Sequence, residues 1–110
     1  MAFQKIATLD ELWSGEMMAR QCEGQPVLLV NIEGTIRAYA DVCPHLGTRL
    51  SEGSLNRNLL VCSTHGWEFD TQTGQGVNPR TACLQSFAVQ VENGDILVDV
   101  NDMNKVAPQR

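Results

Sequence analysis

Apolar and polar residues alternate along most of the chain in short runs, with a period of two rather than the longer period of a helix. Because successive side chains of a strand point to opposite faces, this alternation indicates strands with one buried face. Gly, Pro and Asn separate the runs, as expected for turns. The pattern predicts eight strands, at residues 3–7, 16–22, 26–32, 35–40, 59–62, 67–70, 86–92 and 95–100.

Two of the turns identify hairpins. Glu33 and Gly34 separate two alternating runs, and Asn93 and Gly94 stand between the last two predicted strands. An Asn-Gly pair favours a two-residue hairpin turn because both residues tolerate a positive φ. Residues 86–100 are therefore predicted to form a β-hairpin.

One short helix is predicted near the start of the chain. Thr8 is followed three residues later by Glu11, a capping-box pattern, ahead of an apolar group that includes Trp13. The helix is expected over residues 9–14, where Gly15 ends it, and Trp13 is expected in the core. The predicted fold class is therefore all-β with one short helix.

Size and charge narrow the class of protein. The 110 residues predict a single domain over 1–110, with a loose tail at 101–110 where the periodicity ends. The net charge of −5 argues against nucleic acid or a membrane surface as partner, since both need clustered Lys and Arg. No apolar run approaches the roughly 20 residues that span a bilayer, and the N-terminus lacks a signal-peptide layout. We expect a monomer in the cytoplasm.

Both histidines of the chain stand close to a cysteine. Cys43 and His45 form one pair, Cys62 and His65 form the other, and the spacing is C-x-H-x16-C-x2-H. Each pair is local in sequence, while the two pairs come from separate loops. Two facing loops would surround one metal site with two thiolates and two imidazoles, so these four residues are the candidate ligands.

Two metal groups suit this donor set. Tetrahedral zinc accepts two Cys and two His, although zinc sites usually place the two Cys together and the two His together. A [2Fe–2S] cluster with two His on one iron also accepts them. Cys43 and Cys62 would then hold the inner iron, and the two histidines the outer one. A zinc-bound interaction module and Cys–His nucleophilic catalysis stay open as alternatives of other classes, although nothing in the sequence marks an oxyanion site.

The two boxes resemble the cluster-binding loops of Rieske proteins. The first reads Cys-Pro-His-Leu-Gly at residues 43–47, and the second reads Cys-Ser-Thr-His-Gly-Trp-Glu-Phe-Asp at residues 62–70. The Gly-Trp-x-Phe run is typical of the soluble ferredoxin branch. Residues 3–17 and 76–84 are also similar to the Rieske ferredoxins of multicomponent toluene and benzene monooxygenases.

This resemblance implies a Rieske-type antiparallel β-sandwich with a two-loop cluster-binding subdomain, the loops lying at about 41–50 and 60–70. It also implies one [2Fe–2S] cluster and an electron carrier rather than an enzyme. In that family an NADH-dependent flavoprotein reductase supplies the ferredoxin, which passes single electrons to a diiron hydroxylase that oxidises an aromatic ring. The ferredoxin component of an aromatic ring-hydroxylating dioxygenase is the alternative within the same class.

The resemblance further predicts a low reduction potential. High-potential Rieske proteins carry a disulfide between the loops and a serine that donates a hydrogen bond to a cluster sulfur, whereas the matching positions here hold Thr48, Thr64 and Trp67. Fewer donors stabilise the reduced cluster less. The residues expected in the cluster environment or at the docking surface are Pro44, Leu46, Gly47, Thr48, Thr64, Gly66, Trp67 and Pro79.

The remaining cysteines, Cys22 and Cys83, have no Cys or His close in sequence. We expect small core residues or free thiols at both positions. A disulfide between them requires that the fold bring them together.

Overall fold

The computed structural model describes residues 3–43, 49–63, 66–78, 80 and 82–105, with side chains described up to residue 100. Within these residues the chain forms ten strands and two short 3-10 helices, at Leu9–Glu11 and Leu50–Glu52. The strands are β1 Gln4–Thr8, β2 Met17–Cys22, β3 Gln25–Ile32, β4 Thr35–Ala40, β5 Ser54–Asn56, β6 Leu59–Val61, β7 Glu68–Asp70, β8 Gly76–Asn78, β9 Gln85–Glu92 and β10 Asp95–Lys105.

The strands form two antiparallel sheets. A six-stranded sheet has the order β1-β10-β9-β4-β3-β2, and a four-stranded sheet has the order β5-β6-β7-β8. All neighbouring strands pair antiparallel. The predicted all-β antiparallel class is confirmed. The smaller sheet is inserted between β4 and β9 of the larger one, so the chain leaves the six-stranded sheet after β4 and returns to it at β9.

The hairpin turns have the backbone that their sequences predict. Glu33 and Gly34 have φ values of 55° and 89°, and Asn93 and Gly94 have 52° and 82°. Two successive positive φ values give a turn whose twist matches that of the flanking strands. The predicted hairpin over 86–100 is confirmed. The Glu-Gly pair at residues 23–24 makes a third turn of this kind, which was not predicted.

The short helix near the start of the chain and the last strand differ from the prediction. The helix expected over 9–14 is a single 3-10 turn, Leu9–Glu11, whose start is capped by a 2.9 Å hydrogen bond from the Thr8 N–H to Glu11 Oε1. The last strand was expected to end at residue 100, with a loose tail from 101, but β10 continues to Lys105. Its register with β9 shifts between Asp99 and Met103, and this irregularity hides the period of two. Neither helix in the described part of the chain is long and apolar enough to cross a membrane.

Two hydrophobic cores share β3, which is buried on both faces. Val27 and Leu29 belong to the first core, whereas Leu28 and Val30 belong to the second. The first core is formed almost entirely by side chains of the six-stranded sheet. The second core contains side chains from both sheets. The second core contains Leu28, Val30, Tyr39, Cys43, Leu50, Leu60, Cys62, Phe69, Ala82 and Leu84.

The prediction that Trp13 lies in the core is wrong. Its side chain is 69% exposed, and the neighbouring Leu12 is the residue that enters the first core. The indole N–H of Trp13 donates to the carbonyl oxygen of Asp10 at 3.0 Å. Leu12 follows the 3-10 turn in extended backbone, so it and Trp13 point to different sides of the chain.

Candidate metal centre

Two strands from different sheets bring two of the predicted ligands into one core. Cys43 lies three residues beyond the end of β4, and Cys62 follows directly after β6. Their side chains are 1% and 2% exposed, and both belong to the second core. The structure therefore brings together two thiols that are separated by 18 intervening residues in the sequence.

Several predicted site residues lie outside the described residues. They include both histidines and most of the predicted cluster environment: Pro44, His45, Leu46, Gly47, Thr48, Thr64, His65 and Pro79. Among the residues that the structure does describe, no group of three His, Cys, Asp or Glu side chains is placed to hold a metal ion. The described geometry of the site is therefore that of the two cysteines and of the segments that flank the loops.

The loop after Cys62 reverses direction within six residues. The Cys62 N–H donates to the carbonyl oxygen of Trp67 at 2.8 Å, and the Gly66 N–H donates to the carbonyl oxygen of Cys62 at 3.1 Å. Gly66 has a φ of 70°, which glycine adopts without strain. The side chain of Trp67 is half-buried and packs against the second core. These contacts hold both ends of the predicted ligand loop close together.

The other ligand loop is closed by a buried carboxylate. Asp41 is 0% exposed, and its two carboxylate oxygens accept hydrogen bonds from the N–H and the Oγ of Ser51, at 2.8 and 2.7 Å. Arg49 adds an ion pair at 3.9 Å. Asp41 is not among the site residues predicted from the sequence. An acidic residue between apolar neighbours at the end of a buried strand is the signal that could have found it.

Gly53 lets its segment lie close against the strand that leads into the second ligand loop. Gly53 follows the 3-10 helix Leu50–Glu52, and a Cβ built on it would lie 2.0 Å from the carbonyl oxygen of Val61. Only glycine permits this contact. Since Val61 immediately precedes Cys62, the contact defines where the second ligand loop begins. A groove of about 430 Å³ opens here and is lined by Glu52, Gly53, Ser54, Val61, Cys62, Ser63 and Gly66.

The other two cysteines are not among the predicted ligands. Cys22 is a free thiol in the first core, and burial raises its pKa, with the charges of Glu23 and Asp99 adding to the effect. Cys83 is a half-buried free thiol. The expectation of core residues or free thiols is confirmed, and the two do not form a disulfide.

The comparison with protein families decides the identity of the fold. Residues 2–88 match the model of the Rieske [2Fe-2S] domain. The chain belongs to the Rieske family. The predicted cofactor, one Rieske-type [2Fe–2S] cluster, is therefore confirmed, and zinc is not the group that this family holds.

Rieske ferredoxins are among the most similar relatives. The ferredoxin component of the alkene monooxygenase system of Xanthobacter autotrophicus is 41% identical over 101 residues, covering 91% of this chain and 83% of the relative. The ferredoxin component of biphenyl 2,3-dioxygenase from Rhodococcus jostii is 35% identical, covering 91% and 94%. The structure of the ferredoxin of carbazole 1,9a-dioxygenase from Nocardioides aromaticivorans superimposes with a TM-score of 0.81 at 26% identity, covering 99% and 100%. Like these Rieske ferredoxins, the protein is an electron carrier and not itself an enzyme.

The residues present fit a Rieske cluster. Two thiols that are both almost fully buried, in one core between two sheets, suit the soft sulfur donors of an iron–sulfur cluster. These apolar surroundings would exclude water from the two thiolate ligands. The predicted Rieske-type antiparallel β fold is consistent with this placement of the two cysteines between the sheets.

Proposed function

We propose that this Rieske protein carries single electrons from an NADH-dependent flavoprotein reductase to a diiron monooxygenase that hydroxylates an aromatic substrate. The burial of Cys43 and Cys62 in one core carries the proposal, because two thiols held in the same core suit a pair of sulfur ligands to one iron. The 41% identity to the ferredoxin of an alkene monooxygenase system supports the monooxygenase assignment. The cytoplasmic location and the monomeric state predicted from the sequence belong to the same proposal.

The ligand roles follow from the donor chemistry. Cys43 and Cys62 would hold one iron through sulfur, and His45 and His65 would hold the other through nitrogen. When bound, the cluster supplies a centre that accepts and releases one electron without a change in bonding partners. The two thiolates balance the charge of the oxidised cluster, so the protein keeps its formal charge of −5 and changes it to −6 on reduction.

The surface beside Cys62 supports docking near the cluster. The groove there includes the exposed Glu52, and Val42, next to Cys43, is 39% exposed. An apolar side chain and an acidic one, each close to a ligand cysteine, suit a partner with a small apolar patch and basic residues around it.

A ferredoxin for a ring-hydroxylating dioxygenase is the second candidate. Its support is the 35% identity to the biphenyl 2,3-dioxygenase ferredoxin. The two candidates share the cofactor and the reductase, and they differ only in the terminal oxygenase. The lower identity makes the dioxygenase the weaker assignment.

The ligand assignment is tested by cluster content. We expect His45→Ala and Cys62→Ala to abolish incorporation of iron and sulfide, the visible absorbance and the rhombic EPR signal of the reduced cluster. Cys22→Ala and Cys83→Ala are matched controls that remove a thiol outside the site and should keep the full cluster content. If His45→Ala retains the full iron and sulfide content, the ligand assignment is wrong.

The partner assignment is tested by electron transfer between purified components. The reduced protein is mixed with a diiron hydroxylase or with the oxygenase of a dioxygenase system, and its reoxidation is followed by stopped-flow absorbance. We expect productive transfer to the diiron hydroxylase and reduction by an NADH-dependent flavoprotein reductase. Transfer to the dioxygenase alone would assign the protein to the second candidate.

A further inference from the structure

The Asp41 carboxylate is fixed on one side by the six-stranded sheet. Its backbone N–H donates to the carbonyl oxygen of Pro26 at 3.1 Å, which extends the pairing of β3 and β4 by one residue beyond Ala40. Asp41 is therefore held by the larger sheet, two residues before Cys43. Its side chain is fully buried, so the position of its carboxylate follows that of the sheet.

On the other side the same carboxylate holds the segment that leads to the second loop. Ser51 donates to it through both N–H and Oγ, and Ser51 lies in the 3-10 helix Leu50–Glu52. Two residues later, Gly53 lies against the carbonyl of Val61, which precedes Cys62. A continuous set of contacts thus runs from the six-stranded sheet, through Asp41 and Ser51, to the residue before the second cysteine.

We propose that Asp41 is a positioning residue for the cluster: it closes the first ligand loop onto Ser51 and sets the distance between the two ligand loops. The proposal rests on the assignment of Cys43, His45, Cys62 and His65 as ligands. Asp41 touches neither iron nor sulfide in this role. It acts through the ends of the loop that carries Cys43 and through the path to Cys62.

Asp41 can hold the first ligand loop because opening that loop would take the hydrogen-bond donors away from its buried carboxylate. Hydrogen bonds to a charged group are stronger than neutral ones, and a buried carboxylate that loses its donors has no water to replace them. Few residues separate Asp41 from Ser51 in the sequence, so the bond between them closes a short loop. Four ligands on two loops bind a cluster tightly only when the loops are held at the right separation. A loosened first loop should therefore release the cluster faster.

The experiment measures how fast the loaded protein loses iron to an excess of a ferrous chelator, followed by the decay of visible absorbance well below the unfolding temperature. We expect Asp41→Ala to accelerate the loss by about tenfold or more, which corresponds to about 1.4 kcal/mol. Ser51→Ala keeps the N–H donor and should show a smaller acceleration. Asp41→Asn removes the charge and can keep both hydrogen bonds, because its amide oxygen accepts the N–H and its amide nitrogen donates to Ser51 Oγ, so it should accelerate the loss less than Asp41→Ala does.

Asn31→Ala is the matched control. The Asn31 side chain also makes two hydrogen bonds, to the Leu12 carbonyl and from the Gly34 N–H, both at 2.9 Å and away from the ligand loops. Its loss should lower the melting temperature and leave the rate of iron loss unchanged. A general structural role of Asp41 predicts instead that both variants accelerate iron loss equally, and that result overturns the proposal.

Two further outcomes are decisive. If Asp41→Ala loads the cluster and loses it at the natural rate, Asp41 has no positioning role; if that variant does not fold, an unchanged rate in Ser51→Ala leads to the same conclusion. The proposed function fails separately, when His45→Ala keeps its iron. Loss of iron in His45→Ala together with tight binding in Asp41→Ala would reject the positioning role alone.

Discussion

The hydroxyl of Tyr39 donates a 2.8 Å hydrogen bond to the carbonyl oxygen of Thr71. Tyr39 lies on β4 of the six-stranded sheet, and Thr71 directly follows β7 of the four-stranded sheet. Both residues are buried. This bond therefore ties the four-stranded sheet to the six-stranded sheet.

We expect Tyr39→Phe to lower the free energy of unfolding by about 1–3 kcal/mol, because it leaves the buried Thr71 carbonyl without its donor. Urea unfolding of the apoprotein and the loaded protein measures the change. Thr71→Val is the control, since it removes the hydroxyl that bonds to Asn58 and keeps the carbonyl that accepts from Tyr39. Equal stability of Tyr39→Phe and the natural protein would contradict the role of this bond.

The same tyrosine predicts a loss of stability at alkaline pH. Burial raises the pKa of Tyr39 to about 12, whereas the unfolded chain has a tyrosine pKa of about 10. Between these values the unfolded state loses its proton and the folded state keeps it, so stability falls as the pH rises. The slope is at most about 1.4 kcal/mol per pH unit. Unfolding curves of the natural protein and Tyr39→Phe from pH 9 to 12 measure it, and parallel slopes in the two proteins would refute the prediction.

Gly53→Ala should disturb the second ligand loop. The new Cβ would lie 2.0 Å from the Val61 carbonyl oxygen, and backbone must move to relieve the clash. We expect a loss of about 1–3 kcal/mol in stability and a lower iron content per folded molecule. Gly24→Ala, in a distant hairpin where φ is 80° and nothing crowds a Cβ, is the control. It should lose stability and keep its iron, and an equal loss of iron in both variants would contradict the prediction.

Trp67→Ala should keep the cluster and change its reduction potential. The hydrogen bond from Cys62 goes to the backbone carbonyl of Trp67 and survives the substitution. Removal of the half-buried indole admits water, which stabilises the extra negative charge of the reduced cluster, so the potential should rise. Trp13→Ala removes an exposed indole and should leave the potential unchanged. Redox titration with EPR detection compares the two, and a loss of cluster in Trp67→Ala would show that its side chain holds the loop.

The natural protein should have a potential toward the low end of the Rieske range of about −150 to +300 mV. The high-potential proteins have a disulfide between the loops, but this chain has Thr48 and Thr64 at the matching positions. It also has Trp67 where those proteins have a serine donor. A redox titration of the loaded protein measures the value directly. A potential above roughly +100 mV is incompatible with this prediction.

The local sequence predicted the strands that are long enough to show a period. The strand expected at 35–40 is β4, Thr35–Ala40, with the same bounds. The strands Ser54–Asn56 and Gly76–Asn78 were missed, because three residues are too few for an alternation and only pairing with a neighbour makes them strands. The prediction that Trp13 is buried was wrong, because the packing of the sheet decides which of two neighbouring apolar side chains is buried.

By itself the sequence determined the all-β class, the turns at Asn93-Gly94 and Glu33-Gly34, and the two Cys-His boxes with their Rieske resemblance. These features depend on neighbours within a few residues, so they can be seen in the order of the amino acids. Only the tertiary structure decided that Asp41 is a buried partner of Ser51, that Gly53 lies against Val61 and that Tyr39 joins the two sheets. Each of these contacts joins separate segments of the chain. The polar groups among them need their partners only once the packing of the sheets has removed them from water.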